Sequence, residues 1–151
     1  KGSIGLNVPV TADVWELVPY ATYDTGELIN VTPTANGGLQ ITYPNNGNNG
    51  VFVNVDIMAS ISIPNATQVV DLSFGVDGTV STSAEVVHQR AQAGASQTAD
   101  MFWPYYFHFS GVLPNGSTIN PFIRSSLTDT IPIISLTLTV KADSFTGVDI
   151  V

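Results

Sequence analysis

A long run of alternating apolar and polar residues dominates the middle of the chain. Between residues 51 and 63 most even positions are polar, while the odd positions are all apolar: Val51, Val53, Val55, Ile57, Ala59, Ile61 and Ile63. Successive side chains of a β-strand point to opposite sides of the sheet, so this pattern predicts one long strand with one apolar face. The same period returns over residues 70–76 and 134–141, which predicts two more half-buried strands.

Shorter strands and turn residues complete the pattern. Candidate strands lie at residues 14–20, 40–43, 84–90, 101–109 and 119–124, and residues 91–100 are expected to form a loop with at most one helical turn. Asn, Gly and Pro mark turns at residues 36–38, 44–50, 77–78 and 114–116, because Gly and Asn reach positive φ cheaply. About eight short strands predict an all-β, antiparallel, two-sheet jelly-roll sandwich. We expect a single domain, with an arm and first strands at residues 1–35 and a jelly-roll body at residues 36–151.

Composition excludes several classes of protein. The 151 residues are 44% hydrophobic, which is incompatible with intrinsic disorder. There is no cysteine, so thiolate metal sites, nucleophilic thiols and disulfides are excluded. Four cationic residues against twelve acidic ones give a net charge of −8, which disfavours binding to nucleic acid. No apolar stretch approaches the roughly 20 residues of a membrane helix, so we expect no insertion into a membrane.

The segment MFWPYYFHF at residues 101–109 carries aromatic side chains on both faces. One face of a strand in an antiparallel sandwich usually meets water, so apolar bulk on both faces indicates a second covering layer. Either a loop of the same chain or another subunit can supply that layer, and we favour a subunit. The residues predicted at a trimer interface are Phe52, Met58, Phe102, Tyr106 and His108.

The order of these segments resembles the tumour-necrosis-factor-like trimeric jelly roll, particularly its versions in bacteriophage virion proteins. The resemblance covers residues 38–142, from GGLQITYP through GVFVNVDIMASISIPN and the aromatic strand to SLTLTVKA. It does not extend securely to the first 35 residues, which could form an arm that docks elsewhere. The resemblance implies that residues 51–63, 101–109 and 133–141 share an inner sheet. It further implies that the outer face of this sheet meets two sister subunits around a threefold axis.

No catalytic, cofactor or metal site is predicted. Neither His88 nor His108 has a nucleophile motif or paired carboxylates near it in sequence, so we expect the protein not to be an enzyme. No metal-ligand motif occurs. Asp71, Asp77 and Asp129 lie next to turns and could together hold a calcium ion, but Asp residues more commonly shape turns.

The leading hypothesis is a structural virion protein on the extracellular surface of a particle. It would be a homotrimeric capsid decoration protein or a head or tail fibre module, in contact with other capsid or tail proteins. The alternative is a receptor- or carbohydrate-binding module on the same fold. Its ligand would be a host-surface glycan. The predicted binding loop contains Asn45, Asn46, Asn48 and Asn49, because amide side chains offer both donors and acceptors to sugar hydroxyls.

Overall fold

A computed structural model describes residues 3–19, 30–34, 38–42, 50–65, 67–80, 89–92 and 102–143. These residues contain no helix and form eleven β-strands. The strands are β1 (Ser3–Val10), β2 (Trp15–Leu17), β3 (Val31–Pro33), β4 (Leu39–Ile41), β5 (Gly50–Ser62), β6 (Val69–Val76), β7 (Thr79–Val80), β8 (Gln89–Gln92), β9 (Phe102–Pro114), β10 (Thr118–Ser125) and β11 (Asp129–Asp143).

The strands form two antiparallel sheets. The first has the order β1-β11-β5-β9, and the second has the order β3-β4-β10-β6-β7, with β2 also paired to β10 and β8 to β6. From β4 to β5, β5 to β6, β9 to β10 and β10 to β11 the chain crosses from one sheet to the other, as in a jelly roll. The predicted fold class, an all-β two-sheet sandwich, is confirmed. The three strands expected to share a sheet, β5, β9 and β11, also do so.

The core lies between the two sheets. Val55, Ile57, Leu72, Phe74 and Leu136 are buried as the alternation predicts. Leu138 is half-buried and packs against the same cluster. The sheets meet directly where the Phe74 ring of β6 lies 5.0 Å from the Phe109 ring of β9, centroid to centroid.

A bulge in β11 changes the face on which its residues lie. The pairing of β11 with β5 shifts register between Ile133 and Ser135. An extra residue at a bulge reverses the parity of the strand beyond it. Ile131 and Ile133 therefore face the core before the bulge, and Leu136 faces it afterwards. The predicted inward position of Ile134 is wrong, since this side chain is 37% exposed.

Two details of the sheets have local causes in the sequence. The turn between β6 and β7 has positive φ at both Asp77 (51°) and Gly78 (81°), a turn whose twist matches antiparallel strands. Pro9 and Pro104 lie in β1 and β9, the two edge strands of the four-stranded sheet, where a missing N–H is tolerated. Within the described ranges, no helix is long and apolar enough to span a membrane.

Candidate functional site

Exposed apolar side chains concentrate on one surface of the molecule. We call this surface, the side of the four-stranded sheet turned away from the core, the outer face. Of the five exposed large hydrophobic residues in the described ranges, Met58, Tyr106, Val112 and Ile134 belong to strands of this sheet. Concentrations of exposed apolar surface mark sites of interaction.

The pairing of β5 with β9 and β11 arranges the outer face in rows that cross the sheet. Residues directly opposite each other in an antiparallel pair project to the same side, so the register defines each row. Row 52 contains Phe52 and Val112, with Asp143 of β11 opposite Phe52. The next rows are row 54 (Lys141, Asn54, Ser110), row 56 (Thr139, Asp56, His108) and row 58 (Thr137, Met58, Tyr106).

The Asp56 carboxylate organises row 56 and its neighbour. His108 Nδ1 lies 2.7 Å from Asp56 Oδ1, and the Tyr106 hydroxyl donates to the same oxygen at 3.1 Å. An ionised carboxylate only accepts, so Nδ1 carries the proton. In the neutral imidazole Nε2 is then an acceptor. Both bonds end at Oδ1, which leaves Asp56 Oδ2 as a second acceptor in this row.

The same contact keeps the Tyr106 phenol protonated. Its hydrogen bond to Asp56 raises the pKa of Tyr106 above the ordinary 10.0, with further contributions from desolvation and from the carboxylate charge. Tyr106 therefore remains a neutral donor throughout the physiological pH range. Its side chain is 52% exposed, so the ring also offers apolar surface to a ligand.

Row 54 presents donors. The Ser110 hydroxyl donates to Asn54 Oδ1 at 2.6 Å, so the two Asn54 Nδ2 protons remain available for a ligand. Lys141 is exposed and pairs across the strands with Asn54. The two adjacent polar rows thus differ in character, with donors in row 54 and acceptors in row 56.

The structure brings four of the five predicted interface residues together. Phe52, Met58, Tyr106 and His108 lie on the outer face, with Phe52 half-buried and the others exposed. Of Phe102 the structure describes the backbone, which is opposite Ser62. Whether another subunit covers these residues stays a prediction. The predicted ligand loop (Asn45, Asn46, Asn48 and Asn49) and His88 lie outside the described residues.

His108 and Asp56 have the geometry of a general base with its orienting carboxylate. The sequence has no paired carboxylates beside either histidine, and Asp56 is 52 residues from His108 along the chain. A nucleophilic mechanism also needs a hydroxyl in contact with the imidazole. The neighbouring Ser110 hydroxyl instead donates to Asn54.

The three Asp residues considered for calcium serve different structural roles. Asp77 Oδ1 accepts from the Thr118 N–H, and Asp129 Oδ1 accepts from the Thr130 N–H. Buried Asp71 pairs with Arg124, whose guanidinium donates to Oδ2 at 2.6 Å and 3.2 Å. The described part of the chain contains no group of three or more His, Asp or Glu side chains that could hold a metal ion.

Comparison with known proteins adds a structural likeness. No protein-family model and no curated protein matches the sequence. Among solved structures, the chain is similar to a CBM35, a carbohydrate-binding module, from Cellvibrio japonicus Abf62, at 12% identity. The match covers 92% of this chain and 98% of that chain, with a TM-score of 0.37. A likeness at this TM-score does not identify ligand-binding residues in this chain.

The site residues predicted from the sequence did not include Asn54, Asp56, Ser110, Thr139 and Lys141. The alternation places Asn54 and Asp56 on the same strand face as Phe52 and Met58, and that signal was present. Which residues of other strands lie beside them depends on pairing register.

Proposed function

We propose that this protein is a non-catalytic binding module whose ligand is a carbohydrate held on the outer face. The observation that carries the proposal is the pair of adjacent polar rows beside the exposed Tyr106 ring. Sugar hydroxyls both donate and accept, so they can use the Asn54 and Lys141 donors together with the Asp56 and His108 acceptors. The apolar face of a pyranose ring can stack on Tyr106.

The order of the rows favours a polar ligand over a large apolar partner. In protein interfaces the apolar residues occupy the centre and polar residues form the rim. Here the polar rows 54 and 56 lie between two pairs of apolar residues on β5 and β9, Phe52 with Val112 and Met58 with Tyr106. An apolar partner would bury the Asp56 carboxylate, and burial of a charge is costly unless the partner supplies matching donors. Sugar hydroxyls supply such donors.

The proposed role of the Asp56–His108 pair is binding and not catalysis. The Asp56–His108 pair makes its hydrogen bond at 2.7 Å, and Ser110 directs its hydroxyl to Asn54 at 2.6 Å. In this arrangement Asp56, Tyr106 and His108 serve as hydrogen-bonding groups for a ligand. Incubation of candidate glycans with the protein is therefore expected to leave them chemically unchanged, as measured by reducing-end release.

The binding test uses isothermal titration calorimetry against a panel of soluble oligosaccharides. The variants Asp56→Asn and Tyr106→Ala should each lose about tenfold or more in affinity, because each removes a hydrogen bond to a charged group or a stacking surface. Thr79→Ala, an exposed change on the other sheet, is the matched control. The proposal fails if no oligosaccharide of the panel binds, or if both variants bind as tightly as the control.

A second candidate function is assembly as a homotrimer on a virion surface. It is favoured by the exposed apolar side chains of Met58 (51%) and Val112 (55%) on one sheet face. Exposed apolar side chains gathered on one face can mark a contact between subunits. Light scattering should then give about three times the 16.0 kDa chain mass, and Met58→Lys should reduce it. A mass equal to one chain at every concentration tested would rule out this function.

A further inference from the structure

We infer that the ligand is an internal stretch of a neutral, linear polysaccharide that runs along β5 and β9. This inference rests on the proposed function and specifies the class of carbohydrate. It depends on the length of the outer face, the continuity of its rows and its charge.

The first step is the length of the contact surface. Rows 52 to 58 are separated by two residues each, or about 6.8 Å in an antiparallel strand, so the four rows extend for about 20 Å. A single sugar ring stacked on Tyr106 can reach row 56 beside it. It cannot also reach Val112 at the far end. Only several sugars linked in line can use all four rows.

The second step is the continuity of these rows. β5 and β9 pair without a register shift from Gly50 opposite Pro114 to Ser62 opposite Phe102. The one irregularity in the pairing of β5 with β11 lies at residues 133–135, beyond row 58. The apolar β5 and β9 residues of rows 52 and 58 therefore lie on one unbroken strip, with the hydrogen-bonding rows 54 and 56 between them.

The exposed apolar residues at both ends make the strip suitable for a chain of sugars. Val112 is 55% exposed and is paired with Phe52, while Tyr106 is 52% exposed and is paired with Met58. Each end can contact the apolar face of one sugar ring. The hydroxyls of the intervening sugars then meet the donors of row 54 and the acceptors of row 56.

The third step is charge. By register, the four rows hold one cationic residue, Lys141, and two acidic residues, Asp56 and Asp143. The whole chain carries a net charge of −8. A polyanionic chain such as a polyuronate would be repelled by the protein as a whole and would place its carboxylates near Asp56. A neutral polysaccharide avoids both costs.

The test compares oligosaccharides of increasing length by isothermal titration calorimetry. The probes are cello-, xylo- and manno-oligosaccharides of two to six units, with oligogalacturonates of equal length as the anionic series. In at least one neutral series, affinity should rise about tenfold or more between the disaccharide and the hexasaccharide. Oligogalacturonates should bind more weakly than that series at every length.

Val112→Ser provides the decisive variant, and Val14→Ser is its control. Both valines are exposed, Val112 at the far end of the strip and Val14 outside the four-stranded sheet, so neither change should impair folding. Val112→Ser should weaken hexasaccharide binding more than disaccharide binding, and Val14→Ser should change neither. The inference is overturned if the disaccharide binds as tightly as the hexasaccharide, if Val112→Ser behaves as Val14→Ser does, or if the anionic series binds best.

These outcomes separate this inference from the proposed function. Length-independent binding that still depends on Asp56 and Tyr106 would refute the extended ligand and leave the carbohydrate-binding function intact. The absence of binding in every series would refute both.

Discussion

The bulge in β11 decides which of two adjacent isoleucines is buried and therefore which contributes more to stability. Ile133 is 1% exposed and belongs to the core cluster, while Ile134 is 37% exposed on the opposite side of the strand. The two positions have the same side chain and lie on the same strand. Replacing each of them by alanine therefore compares burial with little interference from other factors.

The expected costs follow from that difference in burial. Ile133→Ala removes fully buried carbon atoms and leaves a cavity, which costs about 3–4 kcal/mol of the free energy of unfolding. Ile134→Ala removes atoms that are partly in water and leaves no closed cavity. Its cost is about 1 kcal/mol, including the lower strand propensity of alanine. The difference of about 2 kcal/mol or more corresponds to about 4–8 °C in melting temperature for a chain of this size.

Urea unfolding and thermal melting followed by circular dichroism measure this difference. The urea midpoint of Ile133→Ala should fall well below that of Ile134→Ala, with the same dependence of free energy on urea concentration for both. Equal losses would contradict the difference in burial between the two side chains. A larger loss at Ile134 would restore the simple alternation over residues 134–140 and place Ile133 outside the core.

Three other predictions concern the seven-stranded sheet, the outer face and one turn. Arg124→Gln should lower the free energy of unfolding by about 2–3 kcal/mol because it removes a cation from the buried Asp71 carboxylate. Adding Asp71→Asn should recover part of that loss, and strictly additive losses in a double-mutant cycle would contradict the pairing. The pKa of Tyr106 should lie above 10.0 by absorbance titration and should fall in Asp56→Asn; an unchanged titration in the variant would refute the contact. The stability from this contact is therefore present below about pH 10 and is lost as pH rises through the folded-state pKa. Gly78→Ala should lower the free energy of unfolding by about 1 kcal/mol because a φ of 81° disfavours any side chain, although no atom lies within 4 Å of the added carbon. An unchanged urea midpoint would refute this account.

Much of the fold was predictable from local patterns. The alternation in residues 51–63 and 70–76 identified β5 and β6, and the Asp77-Gly78 pair identified the turn that follows β6. The alternation of Ile4, Leu6, Val8 and Val10 is of the same kind and coincides with β1. Such patterns are informative because backbone geometry alone fixes the period of two and the need for positive φ in a tight turn.

The bulge in β11 could not be predicted in the same way. The segment IPIIS at residues 131–135 is compatible with either parity, since Ile133 and Ile134 are equally apolar. Pairing with both β1 and β5 determines which of them is buried. The register with both partner strands, and not the local pattern, therefore decided which isoleucine is buried.

In the candidate site, too, the strand pattern predicts some features and only the tertiary structure decides the others. The sequence by itself determined that Asn54, Asp56 and Met58 share a strand face and that Tyr106 and His108 share another, because side chains two residues apart lie on the same side of a strand. Only the tertiary structure brought the two faces together and placed His108 2.7 Å from Asp56, with Tyr106 on the same oxygen. These contacts join residues about 50 positions apart in the chain. They exist only after the sheet has paired in one register, and that register is set by which apolar faces can be buried together in the core.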